Sequence, residues 1–134
     1  MDQGKILVVE DEESLRRVLK KALEEEGYWV EAADSGAVAR EALRQNHFDV
    51  SLLDIRLPDV DGLTLLKEAH AEGISTLLIV MTAQSTMNNA IEAMKNGAFD
   101  YVTKPFDLEE ILVTVKRAFE SRQLNRQFQE LKQE

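Results

Sequence analysis

Five side chains in this sequence could do chemistry together: Glu10, Asp11, Asp54, Thr82 and Lys104. Each follows a short apolar run, as a side chain delivered to the carboxyl end of a buried strand would. Ile6–Val9 leads into Glu10-Asp11, and Val50, Leu52 and Leu53 lead into Asp54. Thr76–Met81 leads into Thr82, and Phe99–Val102 into Thr103-Lys104-Pro105. Past Asp54 the stretch Phe48–Gly62, FDVSLLDIRLPDVDG, breaks into a Pro/Gly loop. In open parallel α/β sheets the carboxyl edge is where ligands bind. With strand order 2-1-3-4-5, the first and third strands are neighbours and their three carboxylates share one pocket. Two carboxylates about 4 Å apart repel by roughly 4 kcal/mol at an effective dielectric near 20. Such a pocket protonates, spreads or holds a cation, and an all-oxygen site with room for water suits Mg²⁺. Lys104 adds a fixed positive charge and Thr82 a hydroxyl donor. Carboxylate, cation, ammonium and hydroxyl around an open position make a receptor for a transferring phosphoryl group.

The elements that must position these groups alternate along the chain. The spacing of Leu15, Val18, Leu19, Ala22 and Leu23 predicts a first helix, stopped at Gly27. Tyr28–Ala32 reads as an edge strand carrying Trp29, and Asp34 or Ser35 caps a helix with Val38, Ala39, Ala42 and Leu43 on one face. Asp61-Gly62 opens a third helix through Leu63, Leu66 and Ala69. Ser85 or Thr86 caps a fourth, with Met87, Ala90, Ile91 and Met94 turned inward. Asp107 caps the last, which carries Leu108, Ile111, Leu112, Val115 and Phe119. Five βα units predict a doubly wound, five-stranded parallel α/β sheet with helices on both sides.

Composition narrows the function classes. The 134 residues suit one domain, 1–121, followed by a helical linker, 122–134. There is no cysteine, which excludes disulfides and thiolate chemistry and suits the cytoplasm. The amino terminus does not read as a signal peptide, and no apolar run reaches membrane-spanning length. A net charge of −9 without a basic patch argues against direct nucleic-acid binding.

Glu10-Asp11, LLDIRLPDVDG, MTA at Met81–Ala83 and DYVTKPF at Asp100–Phe106, in that order and spacing, resemble the receiver domains of two-component response regulators. The match runs from Lys5 to Ser121. The resemblance implies a flavodoxin-like fold and a signalling phosphoacceptor in place of an enzyme with a substrate. Asp54 is then the acceptor of a phosphoryl group from a sensor histidine kinase. It also implies that Asp11, Asp54 and the Arg56 carbonyl hold Mg²⁺, with Glu10 reaching it mostly through water. Thr82 and Lys104 would contact the phosphoryl group, and Tyr101 would be an aromatic switch. Most of the family has Asp where Glu10 stands. The segment MTAQSTMNNAIEAMKNGAFDYVTKPFDLEEI is similar to nitrogen-regulatory receivers. Those precede an ATPase that activates sigma-54 RNA polymerase and a DNA-binding domain. No glycine-rich nucleotide loop or helix-turn-helix follows here, so the resemblance implies the amino-terminal piece of a longer transcription regulator.

Other readings compete. A free-standing receiver acting by docking or in a phosphorelay has no use for the tail after Ser121. A flavin-binding protein of like topology needs a phosphate-accepting loop after strand one, where Glu-Asp-Glu-Glu stands. An aspartyl phosphatase commonly has a second acid where Arg56 lies. Asp59 and Asp61 read as loop-shaping and capping acids, His47 and His70 as non-catalytic, and Arg16, Arg17, Lys20 and Lys21 as a solvated face. In the tail, Leu124, Phe128 and Leu131 recur at coiled-coil spacing and suggest a homodimer through the last helix and the switch face.

Overall fold

The computed structural model describes residues 4–83 and 87–132, with side chains for 4–83 and 88–125. Strands and helices alternate as β1 (Lys5–Val9), α1 (Glu13–Glu25), β2 (Trp29–Ala33), α2 (Gly36–Gln45), β3 (Val50–Asp54), α3 (Gly62–Ala71), β4 (Leu77–Ala83), α4 (Met87–Lys95), β5 (Asp100–Lys104) and α5 (Leu108–Lys132). All four strand pairs are parallel, as the alternation of elements predicts, and the order is β2-β1-β3-β4-β5, the one under which the first and third strands share a pocket. Register carries the polar strand ends to one edge: Val9 pairs with Leu53, Asp54 with Met81, and Ala83 with Lys104.

Both sheet faces are covered, which explains the unbroken apolar runs of β1, β3 and β4. Successive residues of a strand point to opposite faces. Leu7, Val9 and Leu53 accordingly join a core with Phe48, Leu43 and Leu66, while Ile6, Val8, Leu52 and Met81 join Leu19, Leu23, Ile111 and Val115 on the other side. Ser35 is the α2 cap, its hydroxyl accepting the Val38 N–H at 3.3 Å. Asp61 caps α3 by accepting the Leu63 N–H at 2.9 Å. The expected α4 caps, Ser85 and Thr86, lie outside the described residues, as does the Met87 side chain.

Several apolar side chains expected inside face outward. On α4, Ala90 and Ala93 are buried, whereas Ile91 is 51% and Met94 43% exposed. The two alanines form the inner strip, and the larger neighbours fall on its flanks. Val18 and Val38 are half-exposed for the same reason, and Trp29 stands open on the edge strand.

Helix α5 continues to Lys132, past the boundary drawn after Ser121. Arg122, the first residue beyond that boundary, is tied to the amino edge of the sheet. Its Nη1 donates to the Ser75 carbonyl at 2.6 Å, and its Nη2 lies 3.2 Å from His47 Nε2. Its Nε faces Asp49 Oδ1 at 3.2 Å, an ion-pair distance without hydrogen-bond alignment. Asp49 Oδ2 in turn accepts the Lys5 N–H at 3.0 Å, so Arg122 reaches the starts of β1 and β3. One turn earlier Phe119 stacks on Tyr28 with ring centroids 4.9 Å apart. Leu124 is exposed; the side chains of Phe128 and Leu131 lie outside the described residues.

Candidate functional site

Strand β3 ends on Asp54 because the chain turns sharply there. Arg56 and Asp61 form a single antiparallel bridge, and the Gly62 N–H donates to the Ile55 carbonyl at 2.8 Å. A Cβ on Gly62 would lie 2.4 Å from the Asp54 carbonyl oxygen, so only glycine lets α3 begin this close to the acid. Asp54 is 5% exposed. Its Oδ1 accepts the Arg56 N–H at 3.0 Å and its Oδ2 accepts Lys104 Nζ at 3.1 Å.

Glu10, at the end of β1, is 1% exposed. Its Oε1 accepts Lys104 Nζ at 2.8 Å and its Oε2 accepts the Glu12 N–H at 3.1 Å. Burial raises the pKa of this carboxyl, against the downward pull of the Lys104 hydrogen bond. For Lys104, burial alone would lower the pKa. The hydrogen bond to Glu10 and the charge of Asp54 outweigh it and hold the group as an ammonium above its ordinary value. Asp11, the next residue after Glu10, is exposed. One carboxylate oxygen from each of Glu10, Asp11 and Asp54 comes within 4.8 Å of the others.

Thr82 is buried, its hydroxyl 3.4 Å from the Ala83 carbonyl. The peptide bond from Lys104 to Pro105 is cis. An open cleft of about 420 Å³ is lined by Glu10, Asp11, Glu12, Asp54, Ile55, Arg56, Thr82, Ala83 and Lys104. Six of the expected site residues therefore meet here: Glu10, Asp11, Asp54, Arg56, Thr82 and Lys104. Tyr101 is not among the lining residues; it stands on β5 with its side chain exposed. The donor set is all oxygen and the cleft is wide enough for water, a fit to a hard, strongly hydrated cation such as Mg²⁺.

Two residues outside the expected set shape this site. Arg16, read from the sequence as part of a solvated face, turns back over the acidic loop. Its Nη1 donates to the Glu10 carbonyl at 3.0 Å and to the Asp11 carbonyl at 3.3 Å. Asp59 leaves its own loop to bind the first turn of α2. A basic residue on the first turn after an acid pair is a weak signal for the former, and spacing gives none for the latter.

The model of the response regulator receiver domain matches residues 6–116. The chain belongs to that family. Among curated relatives, this receiver is 40% identical over 130 residues to Regulatory protein AtoC of Escherichia coli K12, covering 97% of this chain and 28% of that protein. It is 42% identical over 118 residues to the DNA-binding transcriptional regulator NtrC of Proteus hauseri, covering 88% of this chain and 25% of that protein. The chain thus spans about a quarter of these relatives' length. Among solved structures, the receiver domain of the Francisella response regulator 1452 superposes with a TM-score of 0.84 at 32% identity, covering 89% of this chain and 98% of that one. Receiver domains are signalling phosphoacceptors that bind Mg²⁺ at an acidic pocket and interact with histidine kinases, and Glu10, Asp11 and Asp54 form an acidic group here that could hold a metal ion. Among the described residues no helix is long and apolar enough to cross a membrane.

Proposed function

We propose that this receiver takes a phosphoryl group from a phosphohistidine of a sensor histidine kinase onto the Asp54 carboxylate. The reading is carried by one observation: Lys104 is held between Asp54 and Glu10 at the mouth of an open, oxygen-lined cleft. An Asp54 oxygen forms the new bond to phosphorus as the bond to the imidazole nitrogen breaks and its electron pair returns to the ring. Asp11, Asp54 and the Arg56 carbonyl would hold Mg²⁺, which supplies positive charge to the phosphoryl oxygens when bound. Glu10, whose Oε1 pairs with Lys104 at 2.8 Å, acts at one remove, through water. Lys104 offsets the negative charge gained, and Thr82 donates its hydroxyl to a phosphoryl oxygen. The acyl phosphate is labile, so the signal decays by hydrolysis.

The switch runs from Thr82 to Tyr101. As Thr82 is drawn to the phosphoryl group it vacates space that Tyr101 fills, and the face of α4, β5 and α5 is remodelled. Support comes from those three elements, on which Ile91, Met94, Tyr101 and Val113 are each exposed and Arg117 of α5 pairs with Asp100 of β5 at 2.9 Å. The output is regulation of a downstream ATPase and DNA-binding domain of the sigma-54-activating type, in the cytoplasm. Homodimerisation through α5 and the same face accompanies it. We divide the chain functionally into a receiver, 1–121, and a helical linker, 122–134, with Arg122 as the linker's anchor on the receiver.

Incubation with acetyl phosphate and Mg²⁺, followed by intact-mass measurement, tests the acceptor. The chain gains one phosphoryl group and Asp54→Asn gains none; equal labelling of the two would overturn the assignment.

A further inference from the structure

Asp59 lies in the loop that carries Arg56, yet its carboxylate is not turned toward the acids of the cleft. It binds helix α2. Oδ1 accepts the Gly36 N–H at 2.8 Å and Oδ2 accepts the Ala37 N–H at 2.9 Å. Ser35 serves the next two amides, its hydroxyl accepting from Val38 at 3.3 Å and its carbonyl from Ala39 at 3.1 Å. The amides that a helix start leaves without internal partners are thus shared between the helix's own cap and a distant loop. Val60 closes the joint. A Cβ on Gly36 would lie 1.9 Å from Val60 Cγ1, so only glycine allows the loop to seat against α2.

The anchor itself is firm. Arg40 makes a forked ion pair with Glu68 at 2.8 and 3.1 Å, and Arg44 another with Glu72 at 3.0 and 2.7 Å. Both join α2 to α3, and paired geometry of this kind fixes orientation as well as charge. The loop from Ile55 to Asp61 therefore hangs between two helices that are bound to each other. It is closed at its neck by the Arg56–Asp61 bridge and hooked at its tip by Asp59.

We propose that Asp59 is a positioning residue for the metal: by hooking the loop onto α2 it holds the Arg56 carbonyl in place for Mg²⁺. The proposal rests on the reading of Asp11, Asp54 and Arg56 as the groups that hold the cation. A neutral carbonyl attracts a cation less than a carboxylate does, so its contribution depends on being held where the ion needs it. Outer-shell partners that hydrogen-bond a ligand directly are worth about 10–100-fold in metal affinity; Asp59 acts through the loop backbone, so the lower end of that range applies. Helix α2, which contributes no residue to the cleft, becomes part of the frame of the metal site.

Titration calorimetry of Mg²⁺ into the full chain tests this with three substitutions. Asp59→Ala removes the hook, Asp59→Asn weakens it, and Gly36→Ala leaves the carboxylate while displacing Val60. We expect Asp59→Ala and Gly36→Ala to weaken Mg²⁺ binding by about tenfold, with Asp59→Asn between them and the parent. At saturating Mg²⁺, acetyl phosphate labels all folded variants to the parent's extent. Unchanged Mg²⁺ affinity in Asp59→Ala and Asp59→Asn, with only the metal-free melting temperature lowered, overturns the proposal and leaves a structural clasp. Failure of Gly36→Ala to fold leaves the two Asp59 variants to decide. Undiminished Mg²⁺ affinity in Asp11→Ala overturns the underlying reading of the cleft instead, and separates that failure from this one.

Discussion

The Lys104 ammonium lies 3.1 Å from the Asp54 carboxylate, across the width of β4 from the strand that carries it. The same ammonium reaches Glu10 at 2.8 Å, so one cation offsets two buried acids. Breaking a buried pair typically costs about 3–5 kcal/mol. Lys104 is 28% exposed, which places Lys104→Gln nearer about 2–3 kcal/mol. Urea unfolding without metal should show that loss. Mg²⁺ should then stabilise Lys104→Gln more than the parent, because it replaces a missing positive charge. An equal Mg²⁺ response in both proteins contradicts this.

Metal removal gives a second test. A ligand at about 100 times its dissociation constant stabilises the folded state by roughly 2.7 kcal/mol. The melting temperature of the parent should rise with Mg²⁺ and fall back on chelation, and Asp11→Ala should lose the response. A parent indifferent to Mg²⁺ means that the three acids do not act as one site.

The Asp59 hook should respond to pH. The Gly36 and Ala37 amides hold this carboxyl below its ordinary value of 3.8. A depressed folded pKa contributes stability that is present above the unfolded value and lost as pH falls through the folded one. In metal-free buffer the parent should therefore melt above Asp59→Asn at neutral pH. The gap should close as pH falls below about 4. A gap that persists in acid assigns the difference to shape, not charge.

The Arg122 anchor sets how the tail must be probed. Hydrogen bonds to charged groups are worth about 1.5–3 kcal/mol, so Arg122→Ala should lower unfolding stability by about that much. A chain cut after Ser121 loses the anchor together with the tail, whereas a cut after Gln123 keeps it. Sedimentation of the full chain and of the chain ending at Gln123 then isolates Leu124 and the residues beyond. The full chain should associate at concentrations where the shorter one is monomeric. Identical sedimentation of both would make the tail a linker with no part in pairing.

Much of this molecule is legible in its sequence. The β-branched and leucine runs at Ile6–Val9 and Thr76–Met81 announce strands buried on both faces, and a polar or ionisable residue after each run announces the edge where Asp11, Asp54, Thr82 and Lys104 gather. Local signals suffice because a strand's direction is fixed by its own residues and the parallel topology does the rest. Which apolar residues of a helix are innermost is less legible. Ile91 and Met94 share the periodicity of Ala90, yet the small side chain takes the contact strip. Long-range polar ties away from that edge are not legible. Asp59 with Gly36, 23 positions apart, and Arg122 with His47, 75 apart, depend on where two loops or a helix end arrive in space. Neither pair leaves a periodic trace.

The central claim is that Asp54 becomes an acyl phosphate, and hydride reduction of that species reads it directly. Borohydride converts an aspartyl phosphate to homoserine while leaving free carboxylates untouched. After treatment with acetyl phosphate and Mg²⁺, then borohydride, peptide sequencing by mass spectrometry should find homoserine at position 54 and aspartate at positions 11 and 59. Homoserine at another acid, or none despite a gained phosphoryl group, would contradict the account.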